Sequence, residues 1–291
     1  MAKRKSAKKQ TVKKSSQPSP AKLISTVTND ALPEQERVQA SRGASAAVLK
    51  DEAYFKKTME VVLDQSQPAS VRHACLQALE AASFQTIKFE KYRKDYILMM
   101  RKLARDSDPE IRFSALNTLS CEKDGYAQKR LLDGLKTPDK ALVEPEVALQ
   151  LLGNDVHADV YSVARELVKK PPSEQVKTEA LKLLAADSSA SKIFEKVLLD
   201  KSENTENRQV SAAALHSIKP KSLYKHAATI VKDNSDNDEI QATCLTALGN
   251  FFSDQDVKAD ADLVKGIQTL KKKGKTRVKK QATQFLKKFA E

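Results

Sequence analysis

One helical template recurs along the chain, and it limits the fold more than any other feature. Its clearest copy is Ser107-Asp108-Pro109-Glu110-Ile111-Arg112-Phe113-Ser114-Ala115-Leu116-Asn117-Thr118-Leu119. Asp108 can accept from the free N–H groups of a first turn, and Pro109 suits the first helical position. Ile111, Ala115, Leu116 and Leu119 fall at i, i+4, i+5 and i+8, which is one apolar stripe. The same order of aliphatic, small, Leu and aliphatic returns at Val71/Cys75/Leu76/Leu79, Val176/Ala180/Leu181/Leu184, Val210/Ala214/Leu215/Ile218 and Ile240/Cys244/Leu245/Leu248. Val278/Ala282/Thr283/Leu286 carries Thr in the Leu slot, and Ala148/Leu149/Leu152 follows Glu144 in place of the aliphatic lead. The lead positions 71, 111, 144, 176, 210, 240 and 278 step by 40, 33, 32, 34, 30 and 38. That is the spacing of stacked helix pairs. The small residue lets neighbouring backbones approach where a Leu would hold them apart.

Two segments carry a family resemblance. Ser70-Val71-Arg72-His73-Ala74-Cys75-Leu76-Gln77-Ala78-Leu79 and Asp108-Pro109-Glu110-Ile111-Arg112-Phe113-Ser114-Ala115-Leu116 resemble the second helix of HEAT repeats, with an aliphatic–Arg pair, a small residue and then Leu. The resemblance covers roughly residues 34–289 and is strongest over 68–120 and 172–250. The Arg is kept at Arg72 and Arg112, while the matching positions hold Lys177, Ser211, Gln241 and Lys279. It implies an all-α fold, a right-handed α-solenoid of about seven to eight antiparallel helix pairs.

Composition agrees with helices packed through Ala, Leu and Val. Only 5% of residues are aromatic, Trp is absent and Gly numbers 7. Residues 1–22 are low-complexity Lys/Ser/Pro/Gln sequence, expected as a disordered basic arm, followed by a linker at 23–33. The solenoid is expected over 34–291. It opens with a capping helix at 34–49 and ends on a basic capping pair at 260–289. The pair at 127–136 and 141–153 is the poorest match, and Pro145 must either start its second helix or kink it. The Tyr and Met stripe of residues 89–105 reads as core.

Charge is divided unevenly. The net is +13, yet residues 23–264 hold 33 basic and 37 acidic residues. The excess sits at the ends: eight Lys/Arg and no acid in 1–22, ten Lys/Arg and one acid in 265–291. Lys3, Arg4, Lys5, Lys8 and Lys9 in the arm, with Lys271, Lys272, Lys273, Lys275, Arg277, Lys279 and Lys280 near the other end, are candidate contacts for an anionic partner such as nucleic acid. Arg72, Arg112 and Lys177 head successive second helices and are candidate contacts for a protein partner on the inner surface.

Chemistry is harder to find. His73, His157, His216 and His226 are isolated, and no HExxH, GxGxxG, GxxxxGK[ST] or GxSxG motif occurs. HEAT-repeat hydroxylases hold iron through His-Glu dipeptides, whereas every His here precedes Ala or Ser. HEAT-like alkylpurine DNA glycosylases use Trp against the lesion, and this chain has none. Cys75 and Cys244 fill the small slot, so they read as buried thiols. No apolar run approaches the ~20 residues of a membrane span. The expectation is a scaffold that binds a protein partner, with no catalytic residue, metal or cofactor. It would be monomeric and cytoplasmic, or nuclear in a eukaryote. The alternative is a nucleic-acid-associated protein gripping phosphates through its basic ends.

Overall fold

The structure is a computed structural model that describes residues 18–233, 235–251, 253 and 260–289. Among the described residues it is helical, with no strand. Two compact units divide the chain at Leu119/Ser120.

The first unit holds α1 (Pro20–Val27), α2 (Glu34–Arg42), α3 (Ser45–Val48), α4 (Glu52–Leu63), α5 (Ala69–Ser83), α6 (Thr86–Leu103) and most of α7 (Pro109–Cys121). Consecutive helices pack as hairpins: α1 lies on α2, and α4 on α5. Like helices then stack, α2 on α5 and α4 on α6. The core is aromatic here. Phe55 stacks on Tyr92 with ring centres 4.4 Å apart, and Phe89 meets Tyr96 edge-on at 5.1 Å. The Tyr/Met stripe of α6 is therefore core, as its spacing predicts: Tyr92, Tyr96, Met99, Met100 and Leu103 are all buried.

The second unit holds α8 (Gly125–Lys136), α9 (Pro145–Leu152), α10 (Ala158–Lys169), α11 (Glu174–Leu184), α12 (Ser191–Leu199), α13 (Thr205–Ile218), α14 (Pro220–Lys232), α15 (Asp238–Phe251), α16 (Ala261–Lys273) and α17 (Thr276–Phe289). Five hairpins pair α8 with α9, α10 with α11, α12 with α13, α14 with α15 and α16 with α17. The second helices form one layer, α9–α11–α13–α15–α17, and α12, α14 and α16 line up in the other. The small slot sits between helices as the template requires: Ala180, Cys244 and Ala282 are buried, and Cys75 and Ala115 hold the same place in the first unit.

Helix starts follow their sequence signals. Asp108 Oδ1 accepts from the N–H groups of Glu110 and Ile111, each at 3.0 Å, and Ser173 Oγ from that of Val176 at 3.2 Å. Each cap satisfies donors that would otherwise lack partners.

Three local expectations are corrected, and the open alternative at Pro145 is resolved. Residues 20–27, placed by composition in the arm and linker, form α1, capped by Ser19 and anchored by buried Ile24 and Val27. Two apolar residues one turn apart are enough once α2 and α4 supply a surface to pack on. The single helix expected at 34–49 breaks at Gly43 into α2 and α3. Pro145 starts α9 at the first helical position and kinks nothing. In α13 the template sits one turn too late: Asn207, Arg208, Ser211 and Leu215 are buried, while Val210 is only partly so. The lead position there is polar Asn207, whose amide oxygen accepts from Thr178 Oγ1 at 2.6 Å, so an apolar template passes over it. The rest of the arm, residues 1–17 with Lys3, Arg4, Lys5, Lys8 and Lys9, lies outside the described residues.

Candidate functional site

The fourth residue of a second helix meets the hairpin loops. In α5 this is Arg72. Its Nε donates to the Val62 carbonyl at 2.9 Å, at the end of the preceding helix. Its Nη1 donates to Asp106 Oδ1 at 3.1 Å and its Nη2 pairs with Oδ2, in the loop ahead. Both side chains are 3% exposed. Arg208 repeats this in α13. Its Nε donates to the Leu198 carbonyl at 2.8 Å, and Nη1 and Nη2 donate to Asp236 at 2.7 and 2.8 Å. Arg37 in α2 donates Nε to the Val27 carbonyl at 2.8 Å and also engages Asp30 and Gln67. The flat guanidinium fork suits this role because one side chain can serve a carbonyl behind and a carboxylate ahead. In α15 a neutral Gln241 fills the position and donates to the Asp233 carbonyl at 2.7 Å.

This corrects one of the expected protein-contact residues, Arg72, and leaves Arg112 and Lys177 half-buried. Arg72 is buried in its strut. Arg112 is half-buried, its Nη1 donating to the Asp106 carbonyl at 2.6 Å. Lys177 pairs with Glu203, with side chains 15% and 12% exposed. All three turn into loops, because swinging them outward would strand buried acceptors without donors. Sequence reasoning missed Arg37, Arg208, Asp106 and Asp236. The available signal was an Arg at the fourth residue of α5 and α13 with an acid about 30 positions on, at Asp106 and Asp236.

The second helices offer other groups to solvent. In the first unit a cleft of about 470 Å³ is lined by His73, Gln77 and Glu80 from α5 and by Glu110, Phe113 and Asn117 from α7. Phe113 is 46% exposed at its edge. His73 Nδ1 lies 3.5 Å from Glu110 Oε2, and Ser114 donates to Glu80. In the second unit a cleft of about 830 Å³ is lined by Gly274, Lys275, Thr276, Lys279, Lys280, Thr283 and Gln284. Three of the expected cations, Lys275, Lys279 and Lys280, line it, and not all of the seven are free. Lys275 pairs with Asp238 at 2.6 Å, and Arg277 pairs with Glu239. Lys271 is half-buried, and Lys272, Lys273, Lys279 and Lys280 are exposed.

Among the described residues no group of three or more His, Cys, Asp or Glu side chains is placed to hold a metal ion. None of the described helices is long and apolar enough to cross a membrane. Burial pushes the Cys75 thiol up to about 11 and the Cys244 thiol up to about 12, the latter helped by the charge of Asp236.

No protein-family profile and no curated protein sequence matches the chain. Solved structures do. Importin beta aligns over 93% of this chain and 41% of its own, at 14% identity and a TM-score of 0.58. The fold is a HEAT-like α-solenoid. The complex of CpcE and CpcF of phycocyanin lyase from Nostoc sp. PCC7120 aligns over 92% of this chain and 99% of its own, at 16% identity and a TM-score of 0.41. Human deoxyhypusine hydroxylase aligns over 84% and 98%, at 14% identity and 0.35. Those two scores are too low to bear on this chain.

Proposed function

We propose that the protein is an interaction scaffold, and that the second-helix surface of its first unit docks a protein partner. The observation that carries this is the cleft between α5 and α7. A single exposed phenyl ring, Phe113, stands among His73, Gln77, Glu80, Glu110 and Asn117. An apolar anchor ringed by polar groups that exclude water is how binding energy concentrates at protein interfaces. The fold supports the reading, since stacked helix pairs present long surfaces over which modest contacts add up. Arg72, Arg112 and Lys177 are not the contacts in this reading. They hold the helices that present them.

Site-specific photocrosslinking tests it. A benzophenone amino acid at position 77 or 117 should yield a defined adduct in extracts of the native cell. The same group at Lys94, exposed on α6, should not. Phe113→Glu should abolish the adducts while leaving the melting temperature unchanged. Equal labelling from position 94, or adducts indifferent to Phe113→Glu, would remove the reading.

A further inference from the structure

We propose that the exposed lysine face of α17 binds the phosphate backbone of a nucleic-acid duplex. This surface is separate from the α5/α7 cleft and does not depend on it.

Residues 271–288 hold nine Lys/Arg and no acid. Three are occupied: Lys275 on Asp238, Arg277 on Glu239, and Lys288, whose Nζ donates to the Gly249 carbonyl at 2.6 Å. The other six, Lys271, Lys272, Lys273, Lys279, Lys280 and Lys287, have no acidic partner among the described residues. On α17 the positions divide cleanly. Val278, Ala282, Phe285, Leu286 and Phe289 are buried, and Lys279, Lys280, Thr283 and Lys287 are exposed on the opposite side.

Helix stability accounts for only part of this charge. Cations favour a helix C-terminus, so Lys271, Lys272 and Lys273 suit the end of α16. Lys279 and Lys280 stand near the start of α17, where the helix dipole repels them, and no acid lies in the first turn. Unpaired lysines on one helix face, with Lys279 and Lys280 at the wrong end of the dipole, cost stability unless an anion neutralises them.

The form of the patch selects the anion. Lysines are point charges suited to phosphate oxygens. No aromatic ring is exposed on this face, because Phe285 and Phe289 are buried, so it lacks the stacking platform that single strands use. A membrane-surface helix needs an apolar face free to insert, and that of α17 is spent against α15 and α16. What remains is cationic contact along a regular array of phosphates, which a duplex presents.

The test is fluorescence anisotropy of labelled duplexes, DNA and RNA, of roughly 20 base pairs, over a salt series. The full chain is used, in native form and with the arm residues Lys3, Arg4, Lys5, Lys8, Lys9, Lys13 and Lys14 changed to Gln. Binding to either duplex should persist in the arm variant. It should weaken at least about tenfold with Lys279→Glu/Lys280→Glu/Lys287→Glu. The log–log salt slope should fall by roughly 2–3, at about 0.9 for each phosphate no longer neutralised. If the Glu variant fails to melt as the native protein does, the Gln triple variant gives the same readout with a smaller change. Binding that vanishes with the arm substitutions alone overturns the proposal. So does preference for oligo-dT or for anionic vesicles, or equal competition by polyglutamate.

Discussion

Arg72 in α5 and Lys279 in α17 occupy the same place, the fourth residue of a second helix, and their surroundings are opposite. Arg72 is 3% exposed and bolted to Val62 and Asp106. Lys279 is exposed and pairs with no described residue. The neighbouring slot differs in the same sense: Leu76 is buried where Thr283 lies open. The position is therefore not functional or structural by itself. What differs is whether the neighbouring loops supply an acceptor to the cation. Asp106 does so for Arg72 and Asp236 does so for Arg208. Arg37, whose loop ahead offers Gln67, is buried against Asp30 instead, whereas Lys279 meets no acid among the described residues.

The largest effect should come from breaking a strut. Arg208→Ala leaves Asp236 buried and unpaired, which costs about 3–5 kcal/mol. Lys279→Ala should change stability by less than about 0.5 kcal/mol, as for other open surface sites. Urea unfolding of the full chain reads both. Equal midpoints for the two variants would end the contrast between strut and free cation. Replacing a whole strut sharpens it: Arg72→Met with Asp106→Leu should lie within about 2 kcal/mol of the parent, because two apolar groups strand no charge. A residual loss is expected, since Asp106 Oδ1 also accepts from the Asp108 N–H at 3.0 Å.

Sequence periodicity was a good guide to the helices and a poor one to the struts, for a physical reason. Apolar stripes are local and repeat within one helix, so Val71, Cys75, Leu76 and Leu79 are legible together. A strut joins residues 34 apart in one case and 28 in another, through loops of different length. Its arginine looks like any surface cation until the loop geometry is known. Hence Arg72 and Arg112 read as partner contacts, and Arg208 was hidden behind a template that began at Val210. The cationic face of α17 was legible because it needs only one helix. Which of its cations were already paired was not, since Asp238 and Glu239 lie nearly 40 positions away.

A smaller test uses the thiols, which divide in the same way between packed slot and open surface. Cys75 and Cys244 are buried and their thiols are pushed up by burial, whereas Cys121 is exposed. In the native protein at pH 8, iodoacetamide should modify Cys121 alone, with the other two following only on unfolding. Arg208→Ala should make Cys244 react sooner and leave Cys75 unchanged, since loosening is local to the lost strut. Simultaneous exposure of Cys75 and Cys244 would mean the struts act on the whole chain at once.

The smallest effect lies in the loop between α14 and α15, which holds both kinds of ion pair. Asp236 is 3% exposed against Arg208, and Asp233 is 37% exposed against Lys201 at 2.5 Å. Hydrogen bonds from Lys201 and from the Ser235 backbone and hydroxyl lower the Asp233 carboxyl to about 2. Its folded pKa is thus below the unfolded value of about 3.9, so its contribution is complete above that pH and is lost as pH falls toward 2. Exposure screens the pair and keeps its effect small. Asp233→Asn should flatten the acid limb of stability between about pH 4 and pH 2 and change the neutral plateau by less than about 1 kcal/mol. Lys201→Ala should reproduce part of the flattening, since the serine hydrogen bonds remain. Should Asp233→Asn cost as much at pH 7 as Arg208→Ala, burial would not be what separates a strut from a surface pair.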